Sequence, residues 1–207
     1  MSQAIDRRAF IASAAAATGA LALPARLPAQ PLAVDARSAR ILDIARREAH
    51  RNAARLWRLD IVGVADFSAH SSQPRLHFAN LEAGTVRSFL VAHGAGSDPE
   101  RDGWLHWFSN EPGSNATSRG AYISYEWYKG KYGTSIRLGG LDAENSNVLD
   151  RAIVMHSAPY ATPSFIAQHG MLGRSNGCFA MAPEDFPYAL TQLSGGRLLY
   201  ADKLNLA

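Results

Sequence analysis

Apolar residues at positions 41, 42, 45, 49, 53 and 56 recur among charged ones at helical spacing, which predicts an amphipathic helix over 38–57. Asp43 and Glu48 interrupt its basic face, so packing against a protein surface fits it better than lying on a membrane. From residue 60 the period changes to that of strands. Residues 61–67 and 75–81 read as strands, and Glu82-Ala83-Gly84 turns the second into a hairpin with 85–92. Glycines and prolines then punctuate 94–120, a stretch long enough to be a functional loop rimming a cleft. Its Trp104, Trp107 and Phe108 either stack on a substrate or close the core beside the loop. Strands resume at 121–124, 135–138 and 152–155. Pro183-Glu184-Asp185 starts a short helix, Ser194-Gly195-Gly196 stops it, and 197–201 is a closing strand. The expected fold is mainly β with peripheral helices.

Residues 1–30 follow another pattern: Arg7-Arg8 ahead of apolar residues, a small-residue apolar stretch from Ala14 to Leu23, then Pro24, Arg26 and Pro28. This reads as a twin-arginine-type export signal. It is too short and too weakly apolar for a stable membrane span, and it offers no cysteine for a lipid anchor. The expected organisation is a signal at 1–30, an amphipathic helix within 31–59 and a β domain at 60–207. The leader also changes the charge picture, because its three arginines and one aspartate supply +2 of the chain's net +3. Nothing in the remainder resembles a phosphate-binding stripe, so nucleic acid is not an expected partner.

Among 207 residues Cys178 is the only cysteine. A lone cysteine is ordinarily a small buried hydrophobe. The stretch Gly170-Met171-Leu172-Gly173-Arg174-Ser175-Asn176-Gly177-Cys178 instead reads as a tight polar loop, whose backbone N–H groups can face a reacting atom. A nucleophilic thiol needs a base, and no histidine follows position 169. The base must lie upstream, which rules out the Cys-before-His order of papain-like enzymes. His156 ends the apolar run Ile153-Val154-Met155, a rigid strand from which to aim a side chain, whereas His169 opens the polar loop. Paired with an imidazole, the thiol is expected to react as a thiolate well below the usual cysteine pKa of about 8.5.

His156 and Ser175-Asn176-Gly177-Cys178, with the cysteine 22 positions after the histidine, resemble the signature of the L,D-transpeptidase catalytic domain family. The resemblance extends through Val91-Ala92-His93-Gly94, Phe108-Ser109-Asn110, Ser118-Arg119-Gly120 and Leu138-Gly139-Gly140-Leu141, and covers residues 60–201. It implies a β-sandwich-like catalytic domain with peripheral helices, exported to the periplasm and acting on peptidoglycan stem peptides. It further implies that Cys178 attacks the L-centre carbonyl of diaminopimelate in a tetrapeptide stem, expels D-Ala and carries the acyl group as a thioester. His156 would be the base, Ser157 would orient it through its carbonyl, and the N–H groups of Gly177 and Cys178 would receive the oxyanion. Arg174, Ser175 and Asn176 would contact substrate, with Arg174 on a carboxylate. Two positions depart from the family pattern: many members carry His at Asn176 and Arg or Asn at Ala180. The first departure leaves the base role to His156 alone; the second removes a polar contact after the nucleophile.

The same chemistry with water as acceptor would make an L,D-carboxypeptidase, and the fold without turnover would serve as a wall-binding domain. His50, His70, His77, His93 and His106 show no metal-ligand spacing, so neither a metal nor another cofactor is expected. His93 is kept outside the catalytic set, and the sequence specifies no oligomeric state.

Overall fold

The computed structural model describes residues 35–206, and the leader read at 1–30 lies outside them. Eight strands form one sheet: β1 (Ile61–Asp66), β2 (Leu76–Asn80), β3 (Thr85–Phe89), β4 (Gly120–Gly130), β5 (Gly133–Gly140), β6 (Val154–Ser157), β7 (Phe179–Met181) and β8 (Leu198–Asp202). Their spatial order is β3-β2-β1-β8-β4-β5-β6-β7. The closing strand β8 enters the middle, parallel to β1 and antiparallel to β4, so it joins the N-terminal meander to the C-terminal half. The fold is mainly β with peripheral helices, as expected, and its sheet curls into a half-barrel.

Side chains alternate between two cores. Ile61 and Ala65 of β1 join Phe67, Phe78, Tyr122, Ile136, Met155 and Phe179 on one face. Val62 and Val64 join Ala79, Ala121 and Leu198 on the other. The second face is covered by α1 (Ala36–Asn52), whose Ile41, Leu42, Ile44, Ala45 and Ala49 are buried against it. Asp35 caps this helix by accepting the Ser38 N–H at 2.9 Å. The regular helix stops at Asn52 and tightens into a 3-10 turn over Ala53–Arg55, short of the expected limit at 57. On the first face lies α3 (Phe186–Leu193), with Phe186, Ala189 and Leu193 buried.

Between β6 and β7, which run parallel, the chain crosses over through α2 (Pro163–His169) and the glycine-rich loop. This helix was not expected from the sequence. It buries none of its residues, so it lacks the apolar stripe that reveals a helix, and its Thr162 cap and left-handed Gly170 stop are the only local marks. His169 therefore ends a helix, against Phe165 at a ring-centroid distance of 4.2 Å, rather than opening a mobile loop. Strand β4 also runs beyond the expected 124 to Gly130, because Trp127 and its neighbours continue the ladder with exposed side chains. No helix among the described residues is long and apolar enough to cross a membrane.

Candidate active site

The parallel register of β6 and β7 sets His156 opposite Ala180, two residues beyond Cys178. This pairing brings together the two groups that the sequence separates by a helix and a loop. His156 and Cys178 line one cavity of about 160 Å³ with Tyr132, Tyr160, Arg174, Ser175 and Asn176. Cys178 also borders a larger cleft of about 540 Å³, with Tyr128, Lys131, Tyr132, Arg151, Ala152 and Asn176 among its walls.

The imidazole is held in one tautomer. His156 Nδ1 lies 2.9 Å from the Ser157 carbonyl, which can only accept, so Nδ1 carries the proton and Nε2 keeps its lone pair. Tyr132, at the tip of the β4–β5 hairpin, stacks on the ring at a centroid distance of 4.6 Å and 20°. Among the described residues His156 makes no hydrogen bond to the sulfur; the thiol instead donates to the Ala152 carbonyl at 3.8 Å. Ala152 has a left-handed backbone, φ 51°, and this unusual conformation lies beside the thiol.

Burial lowers the His156 pKa, with the Ser157 hydrogen bond opposing it. Burial also raises the Cys178 pKa, with the Val154 N–H and the Arg151 charge acting the other way. Both shifts favour the uncharged forms, a thiol and a neutral imidazole. This direction runs against the expected low-pKa ion pair, because burial disfavours charge on either group.

The Cys178 loop is fixed by backbone. Ser175 N–H donates to the His93 carbonyl at 2.9 Å, and Ala95 N–H to the Ser175 carbonyl at 2.7 Å. Ser175 Oγ is spent inside the loop: it accepts the Gly177 N–H at 3.2 Å and donates to the Cys178 carbonyl at 2.6 Å. Gly177 adopts φ 112°, and a Cβ on it would stand 2.8 Å from the Ala116 carbonyl. Gly94 meets the same loop from below, where an added Cβ would lie 2.7 Å from Gly177 N, which explains the His93-Gly94 pair in the sequence. Arg174 donates to the Asp98 carbonyl at 2.5 Å and borders the small cavity, while Asn176 is exposed and borders both. Ala180 is fully buried, packed with Ala92 and Ala158. It faces no substrate space, so the missing polar residue there changes the support under the loop.

His93 is buried inside the same scaffold. Arg75, itself fully buried, donates to His93 Nδ1 at 2.6 Å, so Nε2 carries the proton and points toward Asp98 Oδ2 at 3.6 Å. Asp98, Asp102 and His106 come within 4.8 Å of one another in a form that could hold a metal ion. Both Asp98 oxygens already accept backbone N–H groups, and His106 pairs with Asp102 at 3.0 Å. None of the three borders the cavities at Cys178. Trp104 and Trp107 are exposed and also stand outside those cavities, while Phe108 packs on the core.

Residues 36–201 match the family model described as the L,D-transpeptidase catalytic domain. The chain belongs to this family. The match takes in α1 as well as the sheet. Members are peptidoglycan cross-linking enzymes. Among solved structures the chain is similar to an L,D-transpeptidase from Mycobacterium smegmatis, with 16% identity and a TM-score of 0.43, over 69% of this chain and 58% of the other. It is similar to L,D-transpeptidase 3 from Mycobacterium tuberculosis in complex with a faropenem-derived adduct, with 16% identity and a TM-score of 0.45, over 69% and 60%. It is also similar to the helical cell shape determining protein Pgp2 of Campylobacter jejuni, with 14% identity and a TM-score of 0.44, over 82% and 57%. The chain thus spans less than two thirds of the length of each. No curated protein matches it.

Sequence reasoning missed Arg151, Ala152 and Tyr132, all of which border the L,D-transpeptidase cleft. An arginine and an alanine ahead of a strand carry no chemical signature, and a tyrosine at a hairpin tip reads as a turn. Only the fold brings them to the thiol.

Proposed function

We propose that the chain is a cysteine acyltransferase of the L,D-transpeptidase kind, using Cys178 on peptidoglycan tetrapeptide stems. The observation that supports this most is the fixed His156 tautomer, with Nε2 unprotonated in the cavity that Cys178 borders. His156 Nε2 takes the thiol proton as sulfur attacks the stem carbonyl. The resulting oxyanion meets the Cys178 N–H, joined by Gly177 N–H if it leaves Ser175 Oγ. The C–N bond to D-Ala then breaks, the leaving amine takes the proton from His156, and a thioester remains. An acceptor amine attacks that thioester, gives its proton to His156 and regenerates the thiol. Arg174 and Asn176 border the space in which a stem carboxylate would sit. The leader read at 1–30 would deliver the enzyme to the periplasm by the twin-arginine route, which fractionation of cells expressing the full chain checks.

Two measurements test the reading. A carbapenem should add once, at Cys178, by intact-mass and peptide mapping. Purified muropeptides should yield cross-linked products with loss of D-Ala, whereas hydrolysis alone would identify the carboxypeptidase and no turnover the binding domain. His156→Ala should lower single-turnover acylation on the order of 10²- to 10⁴-fold with the fold intact, and His169→Ala should leave it close to wild type. Acylation lost in His169→Ala and kept in His156→Ala would overturn the base assignment.

A further inference from the structure

We infer that Arg151 is the positioning residue of this site: its guanidinium ties the 109–118 segment down beside the Cys178 loop and turns a positive charge, hydrogen-bonded to no carboxylate, toward Cys178. The inference rests on Cys178 being the nucleophile. All four side-chain hydrogen bonds of Arg151 go to that one segment. Nη1 donates to the Ser109 carbonyl and to Ser118 Oγ, both at 2.7 Å, and Nη2 donates to Ser114 Oγ at 3.1 Å and the Ala116 carbonyl at 2.5 Å. These acceptors are neutral, and among the described residues no carboxylate forms an ion pair with the guanidinium. A charge placed in a half-buried site without a hydrogen-bonded counter-ion is costly, and burial lowers the Arg151 pKa, with Tyr122, Cys178 and the more distant Glu111 opposing it. Structures retain such an arrangement where the charge has a use.

The surroundings indicate that use. Arg151 Nη2 stands 3.4 Å from the position a Cβ on Gly177 would take, so the guanidinium lies against the loop that presents the thiol. The next residue, Ala152, supplies the carbonyl that holds the thiol proton at 3.8 Å. Arg151, Cys178 and Asn176 share the walls of the larger cleft. The Ala116 carbonyl links both roles, since it accepts from Arg151 and also sets the closest approach to Gly177. A planar guanidinium can fork to four acceptors and still present its charge; an ammonium keeps the charge and loses the fork.

Variants separate the two contributions. Arg151→Met removes charge and fork, Arg151→Gln keeps an amide donor without charge, and Arg151→Lys keeps charge without the fork. The first readout is the pH profile of iodoacetamide alkylation of Cys178, with near-UV circular dichroism as folding control. Both neutral variants should shift the midpoint up by about one unit, so that alkylation at pH 8 slows about tenfold, while Arg151→Lys stays within about threefold of wild type. The second readout is amide hydrogen exchange over 109–118, which should accelerate in Arg151→Lys. An unchanged midpoint in folded neutral variants, or unchanged exchange in Arg151→Lys, overturns the inference. Alkylation needs no peptidoglycan, so this failure is distinct from a failed acyltransferase reading, which would show as no carbapenem adduct on wild-type Cys178.

Discussion

A single methyl group on Gly177 would meet the Ala116 carbonyl at 2.8 Å while the backbone is held at φ 112°, a conformation that residues with a Cβ rarely adopt. Gly177→Ala is therefore expected to destabilise the fold by about 2 kcal/mol and to lower carbapenem acylation at least tenfold, because the loop can relax only by moving the thiol. Urea denaturation and adduct kinetics check the two halves; an alanine variant with wild-type acylation would show that the loop has another resting place. That Cys178 and His156 share a cavity was legible in the sequence from the lone cysteine and the strand-end histidine, and the tight loop between them was legible from its glycines. Arg151 was not, since an arginine in a loop becomes special only when the fold surrounds it with carbonyls. The direction of the thiol's pKa shift was not legible for a related reason. Residue types suggest an ion pair, but burial decides whether two opposite charges or two neutral groups are cheaper, and burial is a property of the packed molecule.

Among the elements, α1 was legible from its apolar spacing, although its end at Asn52 is set by a tertiary contact. Arg51 reaches out of the last turn to Asp142 with two hydrogen bonds, at 2.7 and 3.0 Å, and the guanidinium holds that carboxylate below its ordinary range. The same aspartate accepts the Ala121 N–H at 2.8 Å and caps the turn over Ala143–Asn145. It therefore joins the helix, the start of β4 and the loop after β5. Asp142→Ala is expected to cost about 2 kcal/mol, from a lost cap and an unpaired strand N–H more than from the exposed ion pair. Arg51→Ala should cost less than 1 kcal/mol by the same measurement, urea unfolding at neutral pH. Equal losses would mean that the ion pair, rather than the cap, carries the contact. Helix α2 and the outer half of β4 escaped the sequence reading because neither shows a buried face.

For the molecule as a whole, β8 parallel to β1 and β7 parallel to β6 close a scaffold that buries, besides His156, two further histidines that cannot easily be charged. His77, under α1, has its pKa pushed down to about 4, chiefly by burial and then by Arg37, with Asp66 opposing. His93, below the Cys178 loop, is pushed down to about 2, chiefly by burial and then by Arg75 and Arg174. In the unfolded chain both return to about 6.5. Below that value the unfolded state binds protons that the native state refuses, so stability is full above pH 6.5 and falls as pH drops toward each native pKa. Between pH 7.5 and pH 5 each histidine should remove about 2 kcal/mol of unfolding free energy. This loss precedes the one from Asp60, Asp66 and Asp142, whose lowered pKa values make them lose stability only as pH falls below the ordinary carboxylate range. Urea titrations of the wild type and of His77→Gln at the two pH values measure it. The variant should show a smaller drop by about 2 kcal/mol, whatever its stability at pH 7.5. An equal drop in both proteins would mean that His77 takes up its proton in the native state, and that α1 gives way locally to admit it.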